Sequence, residues 1–401
     1  MTGQLSSIAR AAQSDERDLK DWTGSDAGVL QERVSAAAER SAAYLRALQA
    51  PGMARGVTLF SAAHDPVLWP GMLAPATAAA IMCLRLFGGI TGFRGEERGA
   101  LVDWFEAMRR PNGTFFMPGM NEADVCVKPD RDETWRYIDF NVTNTALGAI
   151  EALDPLRRPA LEFIEPWLDP LILKAWLAER DWREPAVEGR NIVNLASFLL
   201  LKTRHGAEGE KAEAKAALHI LFDWLERNQE PATGFWGVGQ GLSASQLLRA
   251  MTASAQVYQP YHALRRAVPN FERAADYALS LSPPKIHGAE TDLALVSVLT
   301  QAGADEARGA AAARWLARML DALLDYQNTD GGFPDRRGGR LRFEGWTGGY
   351  EEKQGLSNAS ATFLRWTAIA MIVSCLWPDW RVWGFRRMIG AGFQRADARA
   401  G

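Results

Sequence analysis

A short turn that recurs three times along the chain constrains the fold more than any other feature. It reads QEPATGFW at 229–236, QNTDGGF at 327–333 and NGTF at 112–115. Each copy has a polar amide first, then a glycine, then an aromatic residue one or two positions later. Each copy also lies between two predicted helices. A turn repeated at intervals indicates that one supersecondary unit is stacked several times, so we expect a repeat architecture.

The segments between these turns are predicted to be helical. Alternating Val, Ile, Thr and Tyr runs are nearly absent, and stretches rich in Ala, Leu, Arg and Glu dominate. The pattern gives about six helical hairpins after an opening helix. The predicted helices span 28–49, 74–87, 96–109, 141–153, 160–178, 191–202, 211–227, 243–266, 271–281, 290–301, 306–326 and 358–376.

The two helices of a predicted pair differ in character. The segment 191–201 is apolar nearly all round, whereas 211–226 carries its charges on one face. A helix that is apolar all round is buried, and an amphipathic helix faces water on one side. The alternation predicts an all-α fold, an (α/α)6 toroid over residues 56–377 with inner helices wrapped by outer ones. We expect residues 1–55 to form an N-terminal helical extension and residues 378–401 an amphipathic tail.

Composition and charge limit the partners and the compartment. The chain has 401 residues and a net charge of -3, so no nucleic-acid partner is expected. Its three cysteines, Cys83, Cys126 and Cys375, are odd in number and widely spread, which favours a reducing compartment. The first twenty residues are charged and lack an apolar core, so a cytoplasmic location is expected.

The turns resemble the QW repeats of the terpenoid cyclase and protein prenyltransferase superfamily. The resemblance implies an α/α toroid in which the Gln side chain caps helix ends and the aromatic ring packs against it. It also implies a small hydrophobic substrate of the isoprenoid class. Other (α/α)6 proteins share this layout, including many glycan-acting enzymes, so the fold alone does not select a reaction. The residues that carry the resemblance are Gln229, Gly234, Trp236, Gln327, Gly331 and Phe333.

Two carboxylates, Glu290 and Asp292, open a strongly apolar predicted helix. Burial and a neighbouring charge would push such a carboxyl group toward its neutral form, as a general acid requires. The segment resembles the D-x-D-D motif of class II terpene cyclases, in which the middle Asp protonates an alkene or epoxide. The resemblance implies that Asp292 is the acid and Glu290 its partner, although Leu293 occupies the last acidic position. The alternative is a helix N-terminus with carboxylates placed to suit its dipole.

Polar side chains at the starts of the inner helices, together with nearby aromatic residues, are the candidates for substrate binding. Ser and Asn are favoured N-caps, but Asn144 and Asn194 lie one turn inside their predicted helices, where a cap cannot act. Aromatic faces can stabilise a carbocation. The predicted substrate-binding residues are Trp135, Tyr137, Asn141, Asn144, Asn191, Asn194, Trp236, Gln246, Tyr258, Trp346 and Asn358.

No cofactor and no metal are expected. The chain has no DDxxD string, and Asp124 and Cys126 lack a histidine in the context that a zinc site of this kind needs. The Trp- and Arg-rich stretch 377–387 suits peripheral contact with a membrane surface, or packing onto the outer ring. The sequence indicates no oligomeric state.

The sequence therefore predicts a terpenoid-cyclase-like enzyme that starts a cyclisation or isomerisation of an isoprenoid by protonation. Two alternatives stay open. One is a glycan-active (α/α)6 hydrolase or lyase, whose Asn-rich mouth would bind sugar hydroxyls and whose two carboxyls would lie ~5–9.5 Å apart. The other is a non-catalytic toroid that serves as a binding module.

Overall fold

The computed structural model of the chain describes residues 7–14, 16–117, 132–237, 243–303, 306–338, 340–342, 350–353 and 355–380. Over these residues the protein is mostly helical, which confirms the all-α prediction. A short antiparallel pair of strands, β1 (Arg340–Arg342) and β2 (Glu351–Lys353), was not predicted.

The helices of the described residues follow the predicted order closely. Three short 3-10 segments, Pro70–Met72, Gly89–Gly92 and Glu162–Leu168, lie between them. In chain order the α-helices are α1 (Ser7–Ser14), α2 (Glu16–Thr23), α3 (Ala27–Ala47), α4 (Leu73–Leu86), α5 (Gly95–Glu106), α6 (Asp132–Leu153), α7 (Pro170–Ala178), α8 (Pro185–His205), α9 (Glu208–Asn228), α10 (Ala244–Ala263), α11 (Phe271–Ser280), α12 (Ala289–Leu299), α13 (Glu306–Tyr326) and α14 (Ala359–Leu376).

Six helices follow one another as neighbours in space. Along the series α4, α6, α8, α10, α12 and α14, each helix packs against the next, and α14 packs against α4. Helices α4, α12 and α14 are buried along most of their length, as expected for helices that are apolar all round. By length and composition α14 is apolar enough to cross a membrane, but 67% of it is buried inside the protein.

The helices that lie between them in the chain pack against members of this series. The buried residues of α9 recur at helical spacing from Ala214 to Leu225, and that face lies against α7 and α8. In the same way α5 packs on α6, α11 on α12, and α13 on α14. Helix α3 packs on α4 and α13, while α1 lies against α13 and α14. One apolar stripe along a helix is enough to bury one side of that helix.

Two of the three recurrent turns, 229–236 and 327–333, share one hydrogen-bond design. The side-chain amide of Gln229 donates to the Gly234 carbonyl at 2.8 Å, and that of Gln327 donates to the Gly331 carbonyl at 2.9 Å. Both glycines have positive φ, +73° and +89°. A Cβ at Gly331 would lie 2.4 Å from the carbonyl oxygen of Arg40, so only glycine fits this position.

Three helix starts differ from the predictions by six residues or more. Helix α7 begins at Pro170 rather than at 160, because the 3-10 segment Glu162–Leu168 precedes it. Helix α6 begins at Asp132 rather than at 141. The charged and aromatic residues of its first turns lack the apolar periodicity from which the start was predicted. Asn141 therefore lies inside α6 and not at its start. Helix α8 begins at Pro185 rather than at 191, and proline suits the first helical position because that N–H has no partner within the helix.

Candidate functional site

Each helix of the series α4, α6, α8, α10, α12 and α14 contains one side chain that accepts a hydrogen bond from a backbone N–H. The N–H belongs to the segment that precedes that helix in the chain. We call these side chains the anchors. They tie each preceding segment to its helix and satisfy backbone donors that are buried or, at Asp181 and His287, partly buried. The six bonds run from Thr58 to Thr77 Oγ1 (2.9 Å), Phe115 to Thr143 Oγ1 (2.9 Å), Asp181 to Glu188 Oε1 (3.0 Å), Trp236 to Ser254 Oγ (3.0 Å), His287 to Asp292 Oδ1 (2.9 Å) and Phe333 to Thr362 Oγ1 (3.0 Å).

Asp292, the predicted acid, is therefore the anchor of α12. Its second oxygen, Oδ2, lies 2.5 Å from Nη1 of Arg365 on α14, and both side chains are fully buried. Arg365 also donates to the carbonyl oxygens of Pro334 and Asp335. Burial raises the pKa of the Asp292 carboxyl, whereas Arg365 and the His287 N–H act in the opposite direction. Both carboxylate oxygens are thus engaged by protein donors.

Glu290, the predicted partner of Asp292, binds a different arginine. Nη2 of Arg190 on α8 lies 2.8 Å from both Glu290 oxygens, and the side-chain amide of Gln256 on α10 donates to Glu290 Oε1 at 2.6 Å. The Glu290 side chain is 39% exposed. The two carboxylates thus differ in partners and in burial, and the catalytic role of either one stays a prediction.

The two asparagines that cannot act as caps form one buried network. Nδ2 of Asn144 donates to Oδ1 of Asn194 at 2.8 Å, and the Ser197 hydroxyl donates to Asn144 Oδ1 at 2.9 Å. These bonds join α6 to α8. The structure therefore brings Asn144 and Asn194 together at the contact between α6 and α8.

The other predicted polar residues support local backbone or side chains. Asn191 donates to Glu188, the anchor of α8. Gln246 forms a capping box with Ser243 at the exposed start of α10. Asn358 caps α14 by accepting the Ala361 N–H, and its amide donates to Glu352 at 3.2 Å. Their contribution to substrate binding stays a prediction.

The predicted aromatic residues that the structure describes pack in the core. Trp236 is fully buried, and its ring N–H donates to the Leu225 carbonyl at 2.9 Å. The Tyr258 hydroxyl donates to the Gly234 carbonyl at 2.6 Å, so both residues stabilise the 229–236 turn. The side chains of Trp135 and Tyr137, the whole of Trp346 and residues 381–401 of the predicted tail lie outside the described part.

An apolar pocket of about 30 Å³ lies where α4, α5 and α6 meet the 112–115 turn. Aromatic and methionine side chains form much of its wall, and Asn141 and Thr145 are its polar residues. Of the predicted substrate-binding residues, Asn141 lies in this lining. The lining residues are Ala74, Pro75, Phe105, Met108, Phe115, Met117, Asn141, Val142, Thr145 and Ala146.

Sequence reasoning missed Arg365 although a signal was present. This arginine interrupts the otherwise apolar stretch TFLRWTAIAM at 362–371. A charge inside a buried helix needs an opposite charge within reach, so a search for its carboxylate partner would have led to Asp292. Within the described residues, no group of three or more His, Cys, Asp or Glu side chains is arranged to hold a metal ion.

Comparison with known proteins gives no match. No protein-family model, no curated protein and no solved structure matches the chain.

Proposed function

We propose that α4, α6, α8, α10, α12 and α14 form the inner ring of an (α/α)6 toroid. Their closed order of neighbours supports the proposal, since the last helix of the series packs against the first. The amphipathic helices between them supply an outer layer. The six anchors support it further, because each hairpin is tied to its inner helix by the same kind of bond.

This toroid serves, in our proposal, to bind a small hydrophobic molecule of the isoprenoid class. The observation that carries the proposal is the lining of the pocket between α4, α5 and α6. The pocket would have to widen for an isoprenoid, because its volume of about 30 Å³ is below the ~300–1,000 Å³ of typical ligand sites. Phe105, Phe115 and the methionines give it apolar walls, whereas Asn141 and Thr145 offer hydrogen bonds. Small-molecule sites typically combine apolar walls with a few placed polar groups.

Titration of the purified protein with an isoprenoid alcohol tests this function, with binding measured by calorimetry. The variant Ala146→Leu adds bulk to the pocket wall and is expected to weaken binding by about tenfold or more. Ala152→Leu makes the same change at another buried position of α6, outside the pocket lining, and is the control. Equal binding by both variants, or none by the unaltered protein, contradicts the proposal.

Protonation-initiated cyclisation or isomerisation is a second candidate function. The observation that favours it is the burial of Asp292 in the first turn of α12, which raises the pKa of its carboxyl. Binding has more support, because both Asp292 oxygens already accept from protein donors. Conversion of an isoprenoid alkene by the unaltered protein, lost in a folded Asp292→Asn variant, would favour protonation.

The glycan-active alternative has less support. It needs one carboxyl group as acid and a second as base or nucleophile. Asp292 and Glu290 are each engaged by an arginine, and Asp139 lies 3.1 Å from Arg110. Calorimetric binding of an oligosaccharide in place of the isoprenoid would favour this alternative.

A further inference from the structure

A polar cluster joins three neighbouring helices of the proposed inner ring. Arg190 of α8, Gln256 of α10 and Glu290 of α12 meet through hydrogen bonds of 2.6–2.8 Å. Solvent reaches the cluster, since the side chains of Arg190 and Glu290 are 33% and 39% exposed. Polar residues from three separate helices therefore converge at one accessible place.

Two polar atoms at or beside this cluster have no hydrogen-bond partner among the described residues. One is Oε1 of Gln256, whose Nε2 is held by Glu290. The other is Nδ2 of Asn194, a residue 2% exposed that lies one helical turn after Arg190 on the same face of α8. A buried polar atom without a partner destabilises the folded protein. One free acceptor and one free donor therefore indicate a bound group that can both donate and accept.

The charge of the cluster limits which chemical group of a ligand can bind there. Arg190 would suit a phosphate or a carboxylate, but Glu290 neutralises it at short range. A diphosphate placed there would also meet the negative charge of Glu290. A neutral hydroxyl group meets no such repulsion, and it both donates and accepts.

The cluster is connected to the apolar pocket through α6. Asn141 and Thr145 of α6 line the pocket, and Asn144 of the same helix donates to Asn194. A ligand that contacts both places would therefore have to run along α6 from the pocket lining toward the polar residues of α8.

We propose that Arg190, Gln256, Glu290 and Asn194 form a subsite for the neutral hydroxyl end of the hydrophobic ligand. The preferred ligand is then an isoprenoid alcohol and not its diphosphate ester. This inference rests on the proposed binding function and names the substrate class of that same site.

Three probes of one chain length test the proposal: an isoprenoid alcohol, its diphosphate ester and the matching hydrocarbon. Each is titrated calorimetrically into the full-length protein. The alcohol is expected to bind about tenfold more tightly than either of the others. A ranking with the diphosphate first, or equal binding of alcohol and hydrocarbon, overturns the subsite but leaves the binding function intact. Failure of all three to bind overturns both.

The variant Glu290→Gln tests the role of charge. It removes the negative charge of Glu290 from the cluster, so binding of the diphosphate is expected to tighten by about tenfold. Glu226→Gln is the matched control, because Glu226 also pairs with an arginine, Arg266, at similar exposure. A diphosphate affinity that is the same in the two variants contradicts the proposal. If Glu290→Gln fails to fold, the ranking of the three probes on the unaltered protein decides whether the proposed subsite stands.

Discussion

At the scale of single residues, the buried pair of Asp292 and Arg365 makes the stability of the fold sensitive to loss of either charge. We predict that Asp292→Asn lowers the free energy of unfolding by about 3–5 kcal/mol, because it leaves a fully buried guanidinium without its counter-charge. Urea unfolding followed by circular dichroism measures the change. Asp276→Asn is the control, since Asp276 pairs with Arg308 but is 51% exposed. We expect it to cost about 0–1 kcal/mol. Equal effects of the two variants would contradict this account.

A second single residue, Glu151, gives the stability a pH dependence. Burial raises the pKa of its carboxyl from 4.5 to about 7. The positive charges of Arg204 and Arg85 favour the ionised carboxylate, but they offset only part of this rise. A raised pKa means that the folded state holds the proton more tightly than the unfolded state. Its contribution is therefore fully present below pH 4.5 and is lost as the pH rises through about 7.

We predict that the unaltered protein loses about 3 kcal/mol between pH 4.5 and pH 8 relative to Glu151→Gln. Glutamine cannot titrate, so this variant lacks the dependence. Unfolding free energies from urea titrations at several pH values give the comparison. Parallel pH profiles of the two proteins would show that Glu151 is not responsible.

At the scale of the helical elements, the anchors should matter more than other hydroxyls of the same helix. Thr362→Val removes the acceptor of the Phe333 N–H and leaves a buried donor unsatisfied, at a cost of about 1–3 kcal/mol. Thr367→Val is the matched control on α14. Its hydroxyl only donates to the Phe363 carbonyl within the same helix, and its loss is expected to cost under about 1 kcal/mol. Thermal unfolding that ranks the two variants in the reverse order would refute the role of the anchor.

The sequence specified the elements well and the site poorly, for physical reasons. The helix predicted over 306–326 is found with those bounds, because hydrophobic periodicity is a local signal. The function of Asp292 is not local. A carboxylate at the start of an apolar helix suits an acid, a cap or an anchor equally, and the partner of its second oxygen here is Arg365, 73 residues away. Asn144 and Asn194 were singled out correctly as residues that do not cap, but their mutual hydrogen bond required the packing of α6 on α8.

At the scale of the whole molecule, the decisive property is the closure of the inner series of helices. Helix α14 lies against both α12 and α4, so it connects the end of the series to its beginning. Helices α1 and α2, by contrast, pack mainly on α13 from outside. Closure makes each helix of the series depend on two neighbours, which favours unfolding of the series as one cooperative unit.

Two truncations test whether cooperative unfolding depends on the closed series of helices or only on the amount of packing that is lost. Removal of residues 1–24 deletes α1 and α2 but leaves the inner series closed, so we predict lower stability with a single cooperative urea transition. Removal of residues 358–401 deletes α14, opens the series and leaves the buried Asp292 without Arg365, so we predict loss of the cooperative transition. Circular dichroism and tryptophan fluorescence should give coincident transitions for the first truncation and not for the second. A cooperative transition in the chain without α14 would mean that the helices do not depend on closure, and the toroid proposal would fail.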